Sequence, residues 1–76
     1  MVHYSGKAFC KSLDSANILC EKLKEIPNTI VEQDGKIVYV IYEPTEYTSD
    51  ETEQKSIINI KKTLSRVDGN SYFCVF

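Results

Sequence analysis

Apolar residues recur after Ser12 as Leu13, Ala16, Leu19, Cys20, Leu23 and Ile26. At about 100° per residue they fall within one arc, the pattern of an amphipathic helix. Ser12 suits the N-cap, Asp14 the positive end of the helix dipole, and Pro27 stops the helix. A second stripe, Ile57, Ile60, Leu64 and Val67, predicts another helix. Thr48 and Glu51 have capping-box spacing before it, and Gly69 lies just past its end. Its first turns hold Asp50, Glu51 and Glu53, followed by Lys55, Lys61, Lys62 and Arg66, a charge order that matches the macrodipole.

Between the two helices the pattern changes to short apolar runs. Residues 29–33 and 36–42 flank Asp34-Gly35, a dipeptide favoured in two-residue type I′ hairpin turns. Asp68-Gly69-Asn70 punctuates the chain again, and residues 72–76 read as a last strand. Residues 2–10 fit two patterns, because Phe9 also lies on the first helix's apolar arc. A strand ending near Cys10 is preferred, since Ser12 caps well and a first strand completes the order βαββαβ. That order resembles the split βαβ of ferredoxin-like folds, and implies two helices on one face of a four-stranded antiparallel sheet. The expectation is a single α+β domain over residues 1–76.

Residues 37–42 (Ile-Val-Tyr-Val-Ile-Tyr) do not alternate as a strand with one wet face should. The resemblance makes this strand central. A turn at Asp34-Gly35 sets Val31 opposite Val38, Thr29 opposite Val40 and Ile30 opposite Tyr39. The face away from the helices then exposes either Ile30, Ile37, Tyr39 and Ile41 or Val31, Val38, Val40 and Tyr42. In the last strand Tyr72, Cys74 and Phe76 point one way, and Phe73 and Val75 the other. That strand is also an edge, and it carries neither charge nor proline to guard it. An open apolar face beside such an edge marks a binding surface. Tyr39, Ile41, Tyr72, Phe73, Val75 and Phe76 are the predicted partner contacts, in a homodimer or a complex with another protein.

Signatures of catalysis are missing. The one histidine, His3, sits near the N-terminus, and no Gly-rich phosphate loop, HExxH or GxSxG occurs. Cys10, Cys20 and Cys74 are an odd set without metal-ligand spacing, so reduced thiols and no metal or cofactor are expected. The cysteine usage, with no signal-like or membrane-length apolar run, predicts a soluble cytoplasmic protein. A net charge of −2, with eight lysines and one arginine, argues against binding nucleic acid directly. Tyr39 and Tyr42, three apart on a strand, face opposite sides and cannot form one base-stacking platform; Tyr39 and Phe73 on one exposed face would reopen that reading.

The expected function is therefore a non-enzymatic protein-interaction module, a regulator or inhibitor. In size and composition it resembles the small host-directed inhibitors of phages. The alternative expectation is an acidic mimic of nucleic acid, in which Glu43, Glu46, Asp50, Glu51 and Glu53 stand in for phosphates. At 76 residues the chain buries only about 60% of the surface its unfolded form exposes, so covering the apolar face with a partner would add to a small core.

Overall fold

A computed structural model describes residues 3–75. The element order is β1 (Tyr4–Phe9), α1 (Leu13–Lys24), β2 (Thr29–Asp34), β3 (Ile37–Tyr42), α2 (Asp50–Ser65) and β4 (Asn70–Val75). The strands form one antiparallel sheet in the order β2-β3-β1-β4, the arrangement of ferredoxin-like α+β folds. Residues 4–9 are strand, so Phe9 belongs to the sheet and not to α1.

Both helices pack on one face of the sheet. Ser12 caps α1 from an extended backbone, its hydroxyl accepting from Ser15 N–H at 3.1 Å. Ala16, Leu19, Cys20 and Leu23 of α1 and Ile57, Ile60 and Leu64 of α2 meet Ala8, Val38, Val40 and Tyr42 in one core. Fully burying each such aliphatic side chain is worth roughly 1.5–3 kcal/mol, and this contact is what orients the helices on the sheet. Past the end of α1, the Thr29 hydroxyl lies within donating distance of the carbonyls of Ile26 (2.6 Å) and Leu23 (3.0 Å), which fastens the start of β2 to the turn that follows the helix. Asp68 ties the entry of β4 to the start of α1. Its carboxylate accepts from Lys11 N–H at 3.0 Å and from the Ser15 hydroxyl at 2.9 Å. Together these bonds hold its carboxyl below the usual range, with Lys11 N–H the largest cause.

Three local expectations are corrected. The hairpin pairs Asp34 with Ile37, so Gly35-Lys36 form the turn and Val31, Ile30 and Thr29 oppose Val40, Ile41 and Tyr42. Gly35 takes φ +60° and Lys36 does not take positive φ. Positive φ at the first central position alone is the type II′ pattern, whereas Asp34-Gly35 as a type I′ pair would need it at both. The cap of α2 is Ser49, accepting from Thr52 N–H at 3.2 Å, one residue later than Thr48. That helix ends at Ser65, three residues before Asp68-Gly69, so Gly69 is not its cap. Among the described residues no helix is long and apolar enough to cross a membrane.

Candidate functional site

The sheet face opposite the helices carries the first of the two expected residue sets. Strand pairing arranges it in three rows running from β2 through β3 and β1 to β4. One row is Ile30, Ile41, Ser5 and Cys74; the middle row is Glu32, Tyr39, Lys7 and Tyr72; the third is Asp34, Ile37, Phe9 and Asn70. Phe9, Ile30, Ile41 and Tyr72 are each between 37% and 51% exposed, and Ile37 and Tyr39 are half-buried between neighbours. Apolar side chains thus reach this face from all four strands.

Lys7 stands among them with its chain half-buried. Its Nζ lies 4.9 Å from the centre of the Phe9 ring and 5.1 Å from that of Tyr39. Both distances suit attraction between an ammonium and a ring face. The three groups hold one another in place at the middle of the face.

Of the six predicted contacts, Tyr39, Ile41 and Tyr72 share this face. Phe73 does not. It lies on the helix side, half-buried against the core, with its ring stacked 5.9 Å from that of Tyr4. The cause is Gly6, its cross-strand partner. A Cβ on Gly6 would stand 2.8 Å from the Phe73 ring and 3.0 Å from Val40, so only glycine leaves room for Phe73 to fold over β1. Val75 pairs with Tyr4 in the ladder, and Phe76 lies outside the described residues.

Phe9 and Lys7 were missed by sequence reasoning, because the register of β1 is not written in its own residues. One signal was available: Gly6 and Ala8 are small enough to lie beneath the helices, which turns Lys7 and Phe9 outward. Tyr39 and Phe73 lie on opposite faces, so the stated condition for a base-stacking platform fails. Phe9, Tyr39 and Tyr72 do share a face. On it, however, the carboxylates of Glu32 and Asp34 outnumber the one ammonium, and phosphate neutralisation by Lys or Arg dominates nucleic-acid affinity.

Of the five acidic residues singled out, Glu51 and Glu53 have partners. Glu43 and Glu46 are exposed in the loop before α2, and Asp50 opens the helix. Glu51 pairs with Lys55 at 3.1 Å, and Glu53 accepts the Tyr4 hydroxyl at 3.4 Å. Burial pushes the Tyr4 phenol up, and the Glu53 charge adds to it. Cys10 and Cys20 are buried, Cys74 is exposed, and all three are free thiols. Burial pushes the Cys10 thiol up, and the Asp68 charge adds to it. A groove of about 170 Å³ between α1 and the end of α2 is lined by Lys22 and Arg66. Its two hydroxyls already donate elsewhere, Ser15 to Asp68 and Thr63 to the Asn59 carbonyl.

No protein-family model, curated protein or solved structure matches this chain.

Proposed function

We propose that this protein is a non-enzymatic interaction module that docks a protein surface on its open sheet face, acting as a regulator or inhibitor by occupying its partner. The observation that carries this reading is the continuity of Phe9, Ile30, Ile37, Tyr39, Ile41 and Tyr72 across all four strands, on the face that the helices leave bare. Aromatic rings with aliphatic neighbours are the usual anchors of protein interfaces. A rigid sheet presents them with little ordering cost on binding. The two edges differ. β2 carries Glu32 and Asp34, whereas β4 has neither charge nor proline from Asn70 to Val75, so β4 is the edge open to pairing with a partner strand.

Affinity capture with the wild type beside Tyr39→Asp and Ile41→Asp tests this reading. Both variants should keep the native circular dichroism spectrum and lose the captured partner, and the wild-type complex should persist at high salt, as apolar contacts do. Capture that survives both substitutions, or that collapses with salt alone, would place the binding elsewhere.

A further inference from the structure

We infer that the surface docked on this face is the same face of a second copy, with the two sheets stacked about a two-fold axis parallel to the strands. The inference rests on the open face being a protein-docking surface and adds the partner's identity. Its basis is the distribution of charge. Glu32 and Asp34 lie on the β2 edge, Lys7 lies on β1, and Tyr72 and Asn70 lie on the β4 edge.

Sheets that pack face to face with aligned strands can be related by two in-plane axes. An axis across the strands sets each strand over itself with the rows reversed. Lys7 then meets the partner's Lys7, Glu32 meets the partner's Glu32, and Ile30 meets the partner's Asp34. Two like-charge contacts and a carboxylate against an aliphatic chain oppose that arrangement.

An axis along the strands keeps the rows and reverses the strand order, so β3 faces the partner's β1 and β2 faces the partner's β4. Tyr39 now meets the partner's Lys7, whose ammonium already sits at ring-face distance from its own Tyr39 and Phe9. Glu32 meets the partner's Tyr72, which can donate its hydroxyl, and Asp34 meets the partner's Asn70, which can donate its amide. Ile37 packs on the partner's Phe9. Every charge faces a complementary group, and each contact occurs twice, as an isologous interface requires.

Area sets the strength. Four strands of six residues give a flat footprint of about 19 by 20 Å, about 400 Å². Stable interfaces bury about 800 Å² per partner. The dimer is therefore weak and concentration-dependent.

Cross-linking tests the geometry, because Cys74 is exposed on this face while Cys10 and Cys20 are buried. The strand-parallel axis sets Cys74 over the partner's Ile30. Stacked sheets lie about 10 Å apart, more than the roughly 7 Å between Cα atoms that a disulfide spans, so a short bismaleimide is the probe. Within one chain the two positions lie on opposite edges of the sheet, about 14 Å apart across three strand spacings. Treating Ile30→Cys with bismaleimidoethane should give a covalent dimer whose cross-link maps between position 30 and Cys74. Sedimentation of the wild type from about 10 µM to about 1 mM should show reversible dimers, and Lys7→Glu should weaken them at least tenfold while keeping the native spectrum. A cross-link from position 70 to Cys74 in Asn70→Cys would mean the axis across the strands, and a wild-type Cys74–Cys74 cross-link would mean edge pairing of β4; either overturns the inference. So does a strictly monomeric wild type. In that case the docking face itself survives if heterologous capture still depends on Tyr39 and Ile41, and falls with the dimer if it does not.

Discussion

Tyr72 and Phe73 are neighbours in one strand, and truncating them should have opposite consequences. Phe73 stacks on Tyr4 and fills the space above Gly6, packed against the core from the helix side. Truncating a fully buried phenylalanine costs about 3–5 kcal/mol. Phe73 is only half-buried, so Phe73→Ala should cost about 2–3 kcal/mol. A domain of 76 residues has a total stability of about 4–11 kcal/mol, so this one change removes about a fifth to three quarters of it. At about 4–8 °C per kcal/mol for a domain of this size, the melting temperature should fall by about 8–24 °C. Tyr72 is 51% exposed on the other face, and Tyr72→Ala should change stability by no more than about 0.5 kcal/mol. Its effect should appear in association instead. Urea unfolding followed by circular dichroism at low micromolar concentration measures both variants free of association. Equal losses, or a larger loss for Tyr72, would mean that the faces of β4 are inverted, and the open face would then hold Phe73.

Tyr42 is fully buried and its hydroxyl has no partner among the described residues. An orphaned buried hydroxyl costs about 1–3 kcal/mol, so Tyr42→Phe should leave stability unchanged or raise it, and a fall of about 1 kcal/mol on urea unfolding would refute the orphan. Asp68 has a folded-state carboxyl below its ordinary value of 3.8, so its contribution is complete above that pH and drains away as pH falls below it. The stability gap between wild type and Asp68→Ala should accordingly hold steady at pH 5 and shrink below 3.8, and a gap constant down to pH 2 would contradict the tether to Lys11 and Ser15. Reversing Glu46, Asp50 and Glu51 to Lys together should weaken α2 through lost dipole and pair terms, of roughly 0.3–1 kcal/mol each, yet leave partner affinity intact in a titration of the folded variant. Lost affinity there would favour mimicry of nucleic acid.

The element order and the two alternating residue sets of the hairpin were legible from periodicity, but which set stays open was not, and neither was the hairpin register. The turn moved by one residue, from Asp34-Gly35 to Gly35-Lys36, which changed every cross-strand partner in the hairpin. The faces survived because one residue shifted on each strand preserves the period-two alternation: Val31 and Val40 stayed together, and so did Ile30 and Ile41. Turn chemistry misled because aspartate before glycine suits type I′, and the φ values that separate I′ from II′ are set by the strands on either side. The orientation of β4 was illegible within β4, since both of its alternating sets are apolar or aromatic. Gly6 decides it from across the ladder, and only pairing reveals that Gly6 and Phe73 meet. The same gap hid Lys7 and Phe9. The cap of α2 slipped from Thr48 to Ser49 because adjacent hydroxyl residues offer equivalent caps, and the loop from Tyr42 decides between them.

The central claim, that the open sheet face docks a protein surface, is tested most directly by hydroxyl-radical footprinting of the purified protein in its bound state, whether with captured partner or with its own chain at high concentration. Phe9, Tyr39 and Tyr72 report on the face, and Tyr47, 89% exposed in the acidic loop before α2, is the internal control. The account predicts that the three face rings lose labelling relative to dilute, unbound protein while Tyr47 labels unchanged. Protection of Tyr47 with the three face rings still fully labelled would contradict it and move the binding site to the acidic loop.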